Sequence, residues 1–176
     1  MELNIRKAKP CDYDKVRRFY YDLIDHMELF DYRPGWQKGI YPADEYILGA
    51  IEKGHLFYGL HDDRILTAMI VNDKGNDSYR EGSWKLALSE GDYLVIHALG
   101  VDPKETKKGY AKKMVSFCMD LAKKLGKKAI RLDVLNENQS AIWLYETMGF
   151  LYCDRLSMFY EDTGWTDFLL YEYEIK

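Results

Sequence analysis

The chain has 176 residues, 47% apolar and 31% charged, with a net charge of −4. That suits a single domain over residues 1–176 with a real core, and it excludes a disordered tail and a general nucleic-acid binder. No run approaches the roughly 20 apolar residues of a membrane span, and MELNIRKAKPCDYDK lacks a signal peptide's apolar stretch, so a cytoplasmic protein with no membrane partner is expected. Cys11, Cys118 and Cys153 have neither metal-ligand nor CxxC spacing, which fits free thiols and no metal.

Leu3–Lys7 alternates like a strand. Asp12 is placed to cap a helix whose apolar residues Val16, Phe19, Tyr20, Leu23, Ile24 and Met27 recur at steps of three and four. Asp31–Pro42, with Tyr32, Pro34, Gly35, Trp36, Gly39 and Tyr41, reads as an aromatic-rich loop. A shorter helix is predicted from about Asp44 to Glu52, with Tyr46, Ile47, Ala50 and Ile51 inward and Gly54 as its stop. Leu56–Leu60 and Ile65–Val71 then form a hairpin around a polar turn.

Residues 72–91 are polar, and a structureless loop that long is uncommon; Trp84, Leu86 and Leu88 are the residues able to order it. Tyr93–Val101 is the most apolar run and predicts a buried central strand, ended by Pro103. From Gly109 onward Met114, Val115, Cys118, Leu121, Ala122 and Leu125 keep helical spacing, with Gly126 at the C′ position. Lys128–Val134 predicts a strand with Ile130, Leu132 and Val134 on one face. Asn138 caps a short helix carrying Ala141, Ile142, Leu144 and Tyr145, stopped by Gly149. Phe150–Tyr160 and Phe168–Ile175 read as final strands around Gly164-Trp165. The order β-α-α-β-β-β-α-β-α-β-β predicts an α/β chain of mixed α+β type, a mixed sheet with helices on its faces.

The chemistry lies in the unit Val95–Val101, Asp102–Lys108, Gly109-Tyr110-Ala111. Small residues at 109 and 111 let backbone N–H groups approach a ligand, and a helix N-terminus adds donors and a positive dipole end. Together they make an anion site for a phosphate or pyrophosphate, with Lys104, Lys107, Lys108, Lys112 and Lys113 adding charge. Neither GxxxxGK(S/T) nor GxGxxG is present.

VDPKETKKGYAKKM resembles motif A of the GNAT N-acetyltransferases, Q/R-x-x-G-x-G/A after a central strand. NENQSAIWLYETMGF resembles their second motif, N-x-x-A-x-x-x-Y-x-x-x-G-F, at Asn138, Ala141, Tyr145, Gly149 and Phe150. The order of elements resembles the GNAT fold over nearly the whole chain, which implies a mostly antiparallel central sheet of about seven strands with helices on both faces. The chain departs from motif A at Thr106, where relatives carry Gln or Arg, and at Lys107, often Gly in relatives.

The resemblance implies an enzyme that moves an acetyl group from acetyl-CoA, the acyl donor cosubstrate, to a primary amine by direct attack. The backbone of Leu99, Gly100 and Val101 would pair with the pantetheine arm, which Asn138 would also touch. The segment Thr106, Lys107, Lys108, Gly109, Tyr110, Ala111 and Lys112 would hold the pyrophosphate. A backbone N–H near Leu99 would polarise the acyl carbonyl, and Tyr145 would protonate the leaving thiolate. The string I-H-A-L-G-V resembles the H-A-L-A-V of arylalkylamine acetyltransferases, where the histidine belongs to a proton relay; His97 is therefore the candidate base. The acceptor would be a small-molecule or peptide amine, its pocket lined by Tyr32, Trp36 and Tyr41, and many relatives are homodimers.

Each of these residues also has a plainer reading. His97 is either the base or a core histidine, Tyr145 either the acid or packing under the sheet. Asn138 fits an N-cap alone or a cap that also touches the cofactor. Tyr32, Trp36 and Tyr41 line a pocket or plug it, and Asp22, Asp25, Glu28 and Asp31 attract an amine or form a solvated face. Cys118 reads as core, and Lys123, Lys124, Lys127 and Lys128 as solvated. The alternative function is a non-catalytic acyl-CoA-binding sensor or degenerate GNAT module.

Overall fold

The computed structural model of the protein describes residues 3–30, 32 and 35–176. Its strands are β1 (Asn4–Lys7), β2 (Leu56–His61), β3 (Arg64–Asn72), β4 (Tyr93–Val101), β5 (Ala129–Leu135), β6 (Leu151–Tyr160) and β7 (Gly164–Glu174). Its helices are α1 (Tyr13–Asp25), α2 (Asp44–Glu52), α3 (Tyr110–Lys124) and α4 (Gln139–Thr147). The seven strands lie in the order β1-β2-β3-β4-β5-β7-β6. β1–β2, β2–β3, β5–β7 and β6–β7 pair antiparallel, while β4 and β5 run parallel. The expected mixed, mostly antiparallel sheet is therefore present. By their contacts the residues fall into two compact units, Met1–Val71 with His97–Met114, and Asn72–Ile96 with Val115–Lys176; β4 and α3 run through both.

In the first unit, the three-and-four spacing of α1 puts Val16, Phe19, Tyr20 and Leu23 in the core with Ile47, Ala50 and Ile51 of α2. They meet Leu56, Tyr58 and Leu60 of β2 and Ile65, Ala68 and Ile70 of β3. Asp12 does not cap α1. A short 3-10 turn, Pro10–Asp12, precedes the helix, and the Asp12 carboxylate accepts from the Lys9 N–H at 2.9 Å. Proline at the start of that turn has no N–H to satisfy, so the turn absorbs the capping residue.

In the second unit, the long polar segment is ordered by a residue that its own composition does not reveal. Arg131 of β5 is buried, with its guanidinium 4.3 Å from the Trp84 ring centre and 4.2 Å from that of Tyr93. Its Nε donates to Glu172 at 2.7 Å and a terminal nitrogen donates to the Leu86 carbonyl at 2.8 Å. Glu172 in turn accepts the Leu86 N–H at 2.9 Å. Trp84, Leu86 and Leu88 are thereby laid against a core of Tyr79, Tyr93, Val95, Cys153, Met158, Phe168 and Leu170. A short 3-10 turn, Asp77–Glu81, supplies Tyr79.

Two other expectations shift. Leu125 is 55% exposed, because α3 ends at Lys124 and Gly126 turns the chain at φ +67. The last strand begins at Gly164 rather than Phe168; the hairpin closes at Tyr160↔Gly164, so Trp165 lies in the ladder opposite Phe159.

Candidate active site

The parallel pairing of β4 with β5 is confined to Tyr93–Val95 opposite Ala129–Arg131. Three residues further on, Ala98 takes a left-handed backbone, φ +48, inside the strand. A residue with a Cβ resists that conformation, so its neighbours must hold it there. Two buried hydroxyls do so: Tyr20 Oη donates to the Ala98 carbonyl at 2.9 Å, and Thr67 Oγ1 donates to the Gly100 carbonyl at 2.7 Å. Gly100 is needed for close approach, since a Cβ there would come within 2.6 Å of Leu23 and 3.5 Å of Trp36. Leu99 and Val101 are half-buried.

The connection to α3 is clamped from below. The Asp102 carboxylate accepts the Lys104 N–H at 2.9 Å and pairs with Arg64, which also reaches Glu105 at 3.5 Å. Lys108 pairs with Glu105 at 2.6 Å. The Thr106 backbone is extended and its hydroxyl turns back to the Pro103 carbonyl at 3.5 Å. Lys107 and Gly109 are then left-handed, at φ +63 and +81. The first helical bond of α3 runs from the Lys113 N–H to the Gly109 carbonyl at 3.1 Å. N–H groups before it have no carbonyl one turn back, and they lie at the positive end of the helix dipole. Alternating left-handed residues ahead of a helix turn such N–H groups into an anion cradle. Lys107, Lys108 and Gly109 are exposed, and a Cβ at Gly109 would meet nothing within 4 Å, so the cradle is open.

Trp36, Tyr41 and His97 are brought together by a series of ring contacts. Trp36 and Tyr41 lie 5.8 Å apart edge-on, Tyr41 and Tyr46 stack at 6.2 Å, and Tyr46 meets His97 edge-on at 6.5 Å. Tyr32 is half-buried. Its neighbours Asp31 and Pro34 lie outside the described residues. Asp22, Asp25 and Glu28 are exposed, and Asp25 is paired with Lys38 at 2.6 Å.

In the second unit Tyr145 is 6% exposed, its ring edge-on to Phe150 at 5.4 Å. Burial first, then the nearby Cys118 and Asp133, push its hydroxyl well above the usual tyrosine range. Among the described residues nothing bonds that hydroxyl, and no sealed-off polar side-chain atom is left unpaired. The hydroxyl therefore opens on solvent from an otherwise buried ring. Cys118 is fully buried and its thiol is pushed up to about 12 by burial, which makes it a core residue and not a nucleophile. Asn138 is the N-cap of α4, accepting the Ala141 N–H at 3.1 Å.

A model of the acetyltransferase (GNAT) family matches residues 21–150. The chain belongs to the GNAT acetyltransferase family. It is accordingly an enzyme of the acyltransferase class. No curated protein matches the chain. Among solved structures, a GNAT-family acetyltransferase from Streptococcus agalactiae 2603 superposes with a TM-score of 0.78 at 20% identity, covering 99% of this chain and 95% of that one. The yncA structure from Salmonella typhimurium, solved with its cofactor acetyl-CoA, has a TM-score of 0.69 at 16% identity and covers 100% and 95%. A Drosophila melanogaster polyamine N-acetyltransferase, which catalyses formation of N-acetylagmatine, has a TM-score of 0.68 at 15% identity and covers 98% and 100%.

In this GNAT chain the described residues contain no group of three or more His, Cys, Asp or Glu able to hold a metal ion. No described helix is long and apolar enough to cross a membrane. Sequence reasoning gave no role to Ala98 or Asp133, and it took Tyr20 and Tyr46 only as inward helix residues. A signal existed for Asp133: it is a carboxylate in a strand, on the opposite face from Ile130, Leu132 and Val134. Nothing in the sequence marks Ala98 as left-handed.

Proposed function

We propose that this GNAT protein transfers the acetyl group of acetyl-CoA to a primary amine by direct attack. The cradle ahead of α3 carries the reading: left-handed Lys107 and Gly109 present backbone donors at a helix N-terminus. Those donors suit a pyrophosphate and need no Gln or Arg side chain, so Thr106 at that position is consistent with cofactor binding. Past Ala98, β4 offers the backbone of Leu99, Gly100 and Val101 to the pantetheine arm, in the manner of an added strand. Asn138 combines its cap with an amide left to touch the same arm.

The amine must lose its proton before it can attack, because an ammonium has no lone pair. His97 takes that proton, imidazole being the side chain that ordinarily exchanges protons near neutral pH. The amine nitrogen then attacks the thioester carbon, whose oxygen is held by the backbone N–H near Leu99. The C–S bond breaks and Tyr145 delivers its proton to the departing thiolate. Burial keeps Tyr145 protonated until that moment. Trp36, Tyr41 and Tyr32 line the acceptor pocket. The relative that forms N-acetylagmatine supports a small cationic amine as the acceptor class.

A thermal melt with acetyl-CoA, with CoA and with ATP tests the reading. At a hundredfold excess over Kd, binding adds about 2.7 kcal/mol. For a chain this size that is a shift of roughly 5–11 °C. A shift with both CoA species and none with ATP is expected, followed by CoA release when amines are added. No shift at millimolar acetyl-CoA would overturn it. Binding without release across a broad amine panel would leave a non-catalytic acyl-CoA-binding module.

A further inference from the structure

A cleft of about 440 Å³ lies between α1 and the connection from β4 to α3, and the acetyl-transfer reading does not use it. Its size is that of a small-molecule pocket, not of a site for a bare ion. Four cationic side chains line it: Lys15 and Arg18 from α1, Arg64 from the start of β3, and Lys104 from the connection. Lys15, Arg18 and Asp22 recur at steps of three and four, which puts them on one face of the helix. The carboxylates that face the cleft are Asp22 and Asp102.

The charges do not balance. Asp102 is already engaged, paired with Arg64 and accepting the Lys104 N–H at 2.9 Å. Among the described residues the side chains of Lys15, Arg18 and Lys104 have no carboxylate partner, and all three are exposed. Arg17, next to Arg18 but outside the cleft, does have one, Asp44 at 2.9 Å. Asp22 is the single carboxylate left for the three cations. The floor offers them nothing: Phe19, Leu23 and Ile65 are buried and apolar. Like charges gathered in a low-dielectric concavity raise the local potential and draw an anion.

We infer that this cleft binds a small organic dianion, a phosphate monoester or a dicarboxylate, through Lys15, Arg18 and Lys104. Three unpaired cations against one carboxylate leave two positive charges, which a dianion balances. The Arg18 guanidinium presents a fork for two anionic oxygens, and the lysines act as mobile point charges. The Asp22 carboxylate accepts a hydroxyl where the ligand carries one. The lining ends at Lys104 and includes neither Lys107 nor Gly109 of the cradle, so the inference does not rest on cofactor binding.

The test is calorimetry at about 0.15 M salt, where contacts between fully exposed charges are largely screened. Glycerol 3-phosphate and succinate are the dianions and glycerol is the neutral control, each titrated with and without saturating CoA. At least one dianion should bind in the millimolar range or tighter, in both conditions, and glycerol should not; the tighter dianion identifies the anionic group. Lys15→Ala and Arg18→Ala, with their melting temperatures checked, should each weaken that binding about tenfold, the size of one charge-assisted hydrogen bond. Lys123→Ala, an exposed lysine outside the lining, should leave it unchanged. Neither dianion binding at millimolar concentrations, or an affinity unmoved in both cleft variants, would overturn the inference. So would binding abolished by CoA, which would place the anion in the cradle ahead of α3.

Discussion

The Tyr20 hydroxyl donates a 2.9 Å hydrogen bond to the carbonyl of Ala98, the residue that takes left-handed backbone inside β4. The ring of Tyr20 is fully buried, and burial holds its hydroxyl far above the usual tyrosine range, so it remains a donor at every working pH. Removing it leaves a buried carbonyl unpaired, which costs about 1–3 kcal/mol. Tyr20→Phe should therefore melt about 2–4 °C lower for each kcal/mol lost. If Ala98 relaxes toward an ordinary strand, Leu99 is displaced, and acetyl-CoA affinity falls with stability. Unchanged melting in Tyr20→Phe would show that the irregular strand does not depend on this bond.

The turn before α3 contains one glycine and one non-glycine in the same backbone region. Gly109 at φ +81 has open space around it, so a methyl group meets no neighbour but still strains the backbone. Gly109→Ala should lose about 1–2 kcal/mol and weaken acetyl-CoA binding. Lys107, at φ +63, already carries that strain. Lys107→Gly should be neutral or slightly more stable. A pair of thermal melts with and without acetyl-CoA checks both; stabilisation by Gly109→Ala would contradict the cradle geometry.

Much of this architecture was legible because periodicity and punctuation report local conformation directly. The spacing of Val16, Phe19, Tyr20 and Leu23 gave α1, and Gly54, Gly126 and Gly149 all turn the chain with positive φ where their helices end. The proposed cofactor segment stood out because small residues, lysines and a helix start coincide in sequence. The long-range partners were not legible. Ala98 is 78 residues from the hydroxyl that holds it, and Asp133 is 54 from Tyr79 and 27 from Tyr160. No local pattern encodes such meetings. Asp12 misled because proline in the preceding turn changes what its carboxylate can reach.

Arg131 shows how one such meeting organises a twenty-residue, largely polar segment. Its charge is buried with Glu172, and its remaining donor reaches Leu86 of the long segment. Breaking a buried pair from one side leaves an uncompensated charge, at about 3–5 kcal/mol. Arg131→Leu should therefore lower the melting temperature strongly and expose residues 84–88 to proteolysis. Arg131→Leu combined with Glu172→Leu should recover part of the loss. If the single variant melts like the parent, the segment is held by its apolar side chains alone.

Asp133 should make the fold less stable when it is ionised. Burial is the largest influence on it and raises its pKa, Tyr79 and Tyr160 partly offset that, and Asp162 raises it again. The folded chain therefore holds this proton more tightly than the unfolded one. Stability is lost as pH rises from the unfolded carboxylate value, about 3.9, to the higher folded value, and stays lost above it. Asp133→Asn keeps an oxygen for both phenols and removes the charge. It should melt higher than the parent at pH 7 and no higher at pH 3. A lower melting temperature at pH 7 would mean that the two phenol bonds require the ionised acid.

Tyr145 has the same sign and a higher window. Its hydroxyl is raised by burial, then by Cys118 and Asp133, so the folded chain favours the protonated form. The stability this contributes is present below about pH 10, the unfolded tyrosine value, and is lost as pH rises toward the folded one. In its proposed role as the acid for the thiolate, it should give a kcat with no alkaline fall within the ordinary tyrosine range. Tyr145→Phe removes the proton but keeps the ring against Phe150. It should melt like the parent at pH 7, bind acetyl-CoA normally, and lose roughly 10²–10⁴-fold in kcat, the usual contribution of a positioned acid. Single-turnover CoA release across pH 6–10 separates the outcomes. A kcat within threefold of the parent would remove Tyr145 from the chemistry and leave its open hydroxyl without a role in proton transfer.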